Sequence, residues 1–463
     1  MTTSNTTSLD QKPDPQAAAE LREKRKKVIE SSLAKRHRKE KSFRIFGLSS
    51  VIIGLMFVAL LFSSILAKGL PAFWQSSMTV PVYFDPAIIN AGAKPTQRQG
   101  ESPAQYEQRF IEWQMNMGMV DWDALIVNGI ISKDKSLEAN RDELSSLYTS
   151  SESYRLRDMV FADPSLLGKT EDIKVLADAN IDVWLAGNID RSLPDEQQQL
   201  DPEIRQLADK LEANGIIEST FNTNIFVSPD SRSSPATSGL AGAFMGSLFM
   251  MLIVIIISIP VGVASAIYLE EFAPKNWLTD VIEVNINNLA AVPSIVFGLL
   301  GAAIFIGWMH MPLSAPLVGG LVLSLMTLPT VIITTRASLK AVPPSIRQAA
   351  LGLGASRLQT VLHHVLPLAL PGILTGAIIG VAQALGETAP LLLIGMSAFV
   401  ASVPMSPLDQ SSALPVQIFL WQGNELRNFF EGRTAAAIIV LLAMMIGLNS
   451  LAIWLRKKFE VRW

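Results

Sequence analysis

The sequence predicts an all-α, polytopic membrane protein with about six transmembrane helices and a mostly helical insertion outside the bilayer. Three observations predict it. Of 463 residues, 49% are hydrophobic and only 17% charged, where a soluble globular chain carries about 25% charged residues. Apolar runs of roughly 20 residues, the length that crosses a hydrocarbon core of about 30 Å, recur at 45–67, 239–269, 289–309, 315–335, 370–396 and 434–455. Each is apolar all round, which marks a membrane span more than a one-sided core helix. Charge also segregates along the chain. Residues 1–44 carry 12 Lys/Arg against 6 Asp/Glu, a balance of +6, whereas 68–238 carry 15 against 26, a balance of −11.

Residues 1–44 form a basic tail. Lys and Arg beside a span mark the cytoplasmic side, so the tail is expected inside. Its stretch ELREKRKKVIESSLAKRHRKEK reads as a helix lying on anionic membrane lipid or as a solvated flank. No aromatic residue interleaves those charges, which argues against nucleic acid as a partner. The run 45–67 is too long, and its polar leader too extended, for a cleavable signal; it reads as a retained anchor. The acidic segment 68–238 then falls outside. Its patches SLEANRDELSSLYTS and PEIRQLADKLEANG suggest a small, mostly helical domain. The stretch SPDSRSSPATSG at 228–239 reads as a linker into the transport-like body, 239–463.

The second run is long, and Pro260 and Gly262 suggest that it bends or is partly interfacial. Alternating the spans puts 270–288 inside, a short turn at 310–314 outside, and the loop 336–369 inside. That loop holds Arg336, Lys340, Arg347 and Arg357, as the charge rule requires. The chain ends on the basic RKKFEVRW, and an even number of spans places both termini in the cytoplasm. Zero cysteines exclude disulfides and thiol chemistry. No G-x-x-x-x-G-K-[ST] phosphate loop is present, no H-E-x-x-H is found among the four histidines, and GLGAS lacks the last glycine of a dinucleotide fingerprint. With no motif for nucleotide hydrolysis, a pump built on this chain takes its energy from a partner.

One stretch is neither span nor ordinary loop: PPSIRQAALGLGASRLQTVLHHVLPLALPGI, beginning at Pro343. The paired prolines end whatever precedes them. Ser345 with Gln348, and Ser356 with Gln359, each fit the S-x-x-Q capping box that opens a helix. Gly354 is a natural left-handed terminator between the two, and Pro367 is expected to close the second helix. The result is helix, glycine turn, helix, with small residues Ala349 and Ala350 on the first piece. Such a knob suits docking into the cleft of a partner; it also fits an interhelical loop with amphipathic pieces.

On these residues the segment resembles the cytoplasmic EAA loop of ABC-importer permeases, E-A-A-x3-G-x9-I-x-L-P. Gln348, Ala349, Ala350, Gly354, Leu366 and Pro367 fall on that spacing, while Gln348 replaces the glutamate and His364 the isoleucine. The resemblance implies a type I permease fold and a loop that inserts into a groove of the ATPase subunit. PVGVASAIYLEEF (from Pro260), NLAAVPSIVFGLLG (from Asn288) and GETAPLLL (from Gly386) further resemble permeases of phosphate-specific ABC importers, the Pst system. GETAP points to the A-type permease, and the tail with its enlarged external segment is similar to an N-terminal extension carried by some members.

The resemblance implies a non-catalytic subunit forming half of an inorganic phosphate pathway. Its partners would be a homologous second permease, an ATP-binding cassette ATPase dimer and a periplasmic phosphate-binding protein. The chain itself would bind no cofactor, with ATP and magnesium held by the ATPase. Glu387 is an ionisable residue at membrane depth and hence a functional candidate, either protonated or paired with a cation. Gln383, one helical turn earlier, stands where phosphate permeases often have arginine, so the cation is sought in a partner or at Arg336. Thr388 is placed to donate to an oxyanion or to a carbonyl a turn back. Pro293 is expected to break its helix or kink it, and Pro371 and Pro390 to shape the fifth span. The alternatives are a permease for sulfate or molybdate, and a membrane phosphate receptor or sensor; the docking loop favours transport.

Overall fold

A computed structural model describes residues 15–459 except 91, 93, 397–399 and 401. The start of the basic tail and the last four residues of the basic C-terminus lie outside the described residues. The chain divides into two compact units, residues 1–64 and 65–463. In the first, a single helix begins at Pro15 and continues to Gly69. It joins the basic tail to the first apolar run without a break, since no glycine or proline falls between Pro15 and Gly47. Arg44 and Glu40 pair at 2.7 Å on its charged part, and Phe46, Leu55 and Phe57 are exposed on its apolar part.

The second unit opens with the insertion 68–238, expected outside, which holds a sheet as well as helices. Three antiparallel strands run in the order β2-β1-β3: β1 Trp74–Tyr83, β2 Thr170–Leu176 and β3 Ile217–Phe221. Met78 of β1 stands opposite Val175 of β2 and Ile217 of β3. Met78, Val80, Val82 and Phe84 are fully buried while Thr79 and Tyr83 point out, the period of two that defines a half-buried strand. Pro81 is tolerated because β3 pairs only with Trp74–Met78, so β1 has a single neighbour at that point. Helices Pro103–Gly118, Trp122–Lys133, Ser151–Ala162, Ala179–Leu185 and Pro202–Ala213 complete the insertion. Leu125, Ile126 and Ile130 on the second of these close the core beside the sheet.

The segment 228–239, read as a linker, is an ordered junction. Arg433, buried near the start of the sixth span, donates to the carbonyl of Ser238, to that of Ala236 at 2.9 Å and to Gln75 Oε1 at 3.1 Å. One guanidinium thus satisfies the turn, strand β1 and the last span together. An Arg433→Met change leaves the Ser238 carbonyl and Gln75 Oε1 without that donor, at a cost of about 1–3 kcal/mol each, while the Ala236 carbonyl keeps its bond from Gln75 Nε2 at 3.0 Å.

The membrane body follows the expected spans, with corrections at their ends. The second span is one helix, Ala241–Ile267, unbroken by Pro260, and leads into a wide turn at Tyr268–Phe272. Gly262 serves packing: a Cβ there would lie 2.7 Å from Val331 Cγ1 of the fourth span. The third span is not the single helix 289–309. A helix Trp277–Ala290 and a second piece, Ser294–Trp308, meet at 102°, with Pro293 at the break. The tight turn after it has positive φ at His310 (55°) and Ser314 (61°), and Ser314 Oγ holds the carbonyl of Gly395 at 2.5 Å. The fourth span, Pro316–Ala341, runs past the expected end at 335 and buries Val318, Val322 and Leu323 completely. The fifth, Leu366–Leu385, packs beside it, and the sixth, Arg427–Phe459, packs against the fifth. Among the described residues, five helices are long and apolar enough to cross a membrane, six if the bent pair counts as one.

Candidate functional site

Two places carry functional candidates: the segment 336–369, and the break that ends the fifth span. In the first, Ala341 ends the fourth span and Pro344–Gly352 forms a separate nine-residue helix. Pro343 is its N-cap and Pro344 its first residue, the position where proline's missing N–H costs nothing. Ser345 is therefore inside the first turn and caps nothing, and no box forms with Gln348. This corrects the expected N-cap. The second box does form: Ser356 Oγ accepts the Gln359 N–H at 3.2 Å and Gln359 Oε1 accepts the Ser356 N–H at 2.9 Å.

Gly354 ends the short helix with φ +88°. The Gly354 N–H bonds the Leu351 carbonyl at 3.0 Å and the Ala355 N–H the Ala350 carbonyl at 3.1 Å, the paired closure of a left-handed glycine terminus. A residue with a Cβ there costs roughly 1–2 kcal/mol. Contrary to the expectation from sequence, Pro367 does not close the following helix. One turn from Arg357 passes through a wide turn at Val361–Val365 straight into the fifth span. The five-residue hydrogen-bond spacing of that turn absorbs the donor missing at Pro367. The segment is thus covalently rigid with a span.

What this helix shows outward is apolar and small. Leu353 is 90% exposed; Leu351, Leu358 and Leu362 are exposed around it, with Gln348 and Ala349 beside them. Ala350 turns inward and is buried. Beneath lies a small core of Leu339, Val342, Val365, Ala369 and Ile373, with Leu366 packed against it.

Charges fix the same helix from the side. Arg347 pairs with Glu271 in the turn after the second span, Nη2 to Oε1 at 2.7 Å and Nε to Oε1 at 3.1 Å. It also donates to the carbonyls of Leu339 and Val342, both at 2.8 Å, at the end of the fourth span. Next to it, Arg336 meets Glu283 at 2.8 Å and Glu270 at 3.3 Å, and Lys340 stands 3.7 Å from Glu270.

The second place is the end of the fifth span. Its helix stops at Leu385; Gly386, Glu387 and Thr388 form a break, and Ala389–Leu393 resumes as a short turn. Gly386 and Pro390 explain it, one by flexibility and the other by forbidding the helical approach. The break is fixed from behind by Gly298 of the third span, where a Cβ would lie 2.5 Å from Pro390 Cα. Glu387 is half-buried, Thr388 likewise, and Gln383 is exposed. Gln383 and Glu387 do not share a continuous helical face, because the helix ends between them. Among the described residues no hydrogen bond or ion pair engages the Glu387 carboxylate. Arg336, considered as its cation, is taken by Glu270 and Glu283.

The two places are thus a short helix continuous with the fifth span that exposes leucines, and a carboxylate at the break that ends that span. Residues 258–463 match the family described as binding-protein-dependent transport system inner membrane component, and 30–195 match a domain of unknown function, DUF3333. The phosphate transport system permease protein PstA of Yersinia pestis is 34% identical over 233 residues, 48% of this chain and 75% of that protein. The chain belongs to this permease family. The probable ABC transporter permease protein YqgI of Bacillus subtilis is 34% identical over 182 residues, 39% of this chain and 60% of that relative. YqgH of the same organism is 30% identical over 238 residues, 50% of this chain and 75% of the relative. The permease is therefore a multi-pass inner-membrane transport subunit, not a catalyst.

Sequence reasoning missed two residues of this permease that the structure brings into the site, Glu270 and Glu271. The signal was present: LEEF places two acids just after a span, and the stretch 336–347 carries the cations that could meet them.

Proposed function

We propose that this permease is the transmembrane subunit of an ATP-driven importer of inorganic phosphate, supplying half of the pathway. The observation that carries the reading is the helix Pro344–Gly352, anchored to three spans and presenting an apolar face around Leu353. An exposed leucine cluster on a rigid support marks a protein contact. Its natural occupant is a separate ATPase, since this chain carries no phosphate loop. Phosphate as the cargo follows the named relatives, PstA among them.

In this reading both termini and the segment 336–369 are cytoplasmic, as their Lys/Arg content favours, and the insertion faces outward. A homologous second permease completes the pathway, an ATPase dimer binds ATP and magnesium inside, and a phosphate-binding protein delivers substrate outside. ATP-driven closure of the ATPases moves the docking helix, and the spans reopen to the other side. Ser345, Gln348, Ala349, Ala350, Gly354, Leu366 and Pro367 belong to the coupling segment; Glu387, Gln383 and Thr388 belong to the pathway.

The test is uptake of labelled phosphate in cells lacking this chain. Restoration by the wild type, insensitive to excess unlabelled sulfate, is the expected result. Wild type that inserts with its partner subunits yet restores nothing, or uptake abolished by sulfate, contradicts phosphate as the cargo.

A further inference from the structure

From the docking helix the chain runs through the Gly354 turn and Arg357 into the fifth span. Going the other way, the chain turns at Val342–Pro343 before it reaches the fourth span. The second span has no covalent link to the helix at all; its inner end lies more than seventy residues earlier in the sequence. Yet both spans are tied to the helix by one side chain. The Arg347 guanidinium grips Glu271 through Nε and Nη2 and also donates from Nη2 to the Leu339 carbonyl and from Nη1 to that of Val342. All three of its nitrogens are thus engaged, a geometry that a lysine ammonium does not reproduce. Both partners are shielded: the side chains of Arg347 and Glu271 are 22% and 12% exposed.

The neighbouring pair is built differently. Arg336 divides itself between Glu270 and Glu283, and Lys340 reaches Glu270 only at 3.7 Å. Glu283 is more open, at 38%, and stands on the helix Trp277–Ala290, which the break at Pro293 separates from the rest of the third span. The acidic doublet therefore has one closed contact that unites the docking helix with the second and fourth spans. Its other contact is shared and leads to a hinged element.

Resting on the reading of this chain as an importer permease, we propose that Arg347 is a positioning residue for coupling. It makes the docking helix, the second span and the fourth span move as one body, so that ATPase closure reaches the second span, which the helix does not join covalently, and the fourth, which it joins only through the Val342–Pro343 turn. Without it the second span is no longer tied to the helix and the fourth is held by that turn alone, and ATP is hydrolysed without a matching opening of the pathway.

The experiment uses the full complex in proteoliposomes: both permeases, the ATPase, the phosphate-binding protein, ATP with magnesium, and labelled phosphate. The readout is ATP hydrolysed per phosphate transported. For Arg347→Ala this ratio rises at least about tenfold, with the ATPase still bound in pull-down. Arg347→Lys, which keeps the charge and loses the fork, gives an intermediate ratio. The exchange Arg347→Glu with Glu271→Arg restores the ion pair but not the carbonyl contacts, and lowers the ratio below that of Arg347→Ala. A ratio unchanged in Arg347→Ala overturns the proposal. If that variant fails to assemble, a wild-type ratio in Arg347→Lys overturns it equally. Wild-type complexes that import no phosphate on ATP contradict the phosphate-importer reading itself, whereas wild-type import with unaltered Arg347 variants defeats the coupling role alone.

Discussion

Leu353→Asp leaves the permease inserted in the membrane and removes it from its ATPase. Leu353 has almost its whole side chain in solvent and contributes nothing to the small core beneath the helix, so the substitution leaves the fold intact. In the proposed docking the same side chain enters an apolar socket of the ATPase, where burying a leucine is worth about 1.5–3 kcal/mol. A carboxylate forced there loses that gain and adds a desolvation penalty of several kcal/mol. The ATPase therefore binds at least roughly a hundredfold more weakly, and uptake is lost at normal membrane levels of the chain. Co-purification of the ATPase with tagged permease measures it. Normal retention of the ATPase would show that the leucine face is not the docking surface.

Glu387→Gln is expected to reduce uptake by about ten- to a hundredfold without changing assembly. The substitution keeps the shape and size of the side chain at the helix break and removes only the charge. Glu387 has no ionic partner among the described residues, so losing the charge costs this chain no internal ion pair. The loss of rate follows from a charge-assisted contact of about 1.5–3 kcal/mol made to the second permease or along the pathway, at about tenfold for each 1.4 kcal/mol. Initial uptake rates, compared at equal abundance of the complex, read it directly. Wild-type rates in Glu387→Gln would reduce the residue to a packing role.

Much of this was legible in the sequence, for reasons that differ from place to place. Span positions follow from run length, because hydrocarbon thickness leaves little choice. The glycine terminus at Gly354 and the capping box at Ser356 are local, and local chemistry survives folding. Ser345 failed as a cap because Pro344 takes the first helical position, a rule that outranks the capping pattern beside it. Pro367 failed as a terminator because a wide turn three-dimensionally absorbs its missing donor, an option that sequence does not display. The strands of the insertion were legible in MTVPVYF, whose alternation is clean. Helical patches nearby drew the reading away from it, and of these SLEANRDELSSLYTS forms only short turns. The Arg347–Glu271 contact spans 76 positions, and no local pattern reports a pairing at that range.

The absence of cysteine from the chain gives the central claim a direct measurement. A single Leu353→Cys variant, assembled with its ATPase carrying one cysteine in the groove that faces the permease, is treated with a short bifunctional thiol reagent. The account predicts a covalent permease–ATPase product whose yield changes between ATP-bound and nucleotide-free states, in a complex that still transports phosphate. No product in either state, from a variant that transports normally, would contradict docking through this helix.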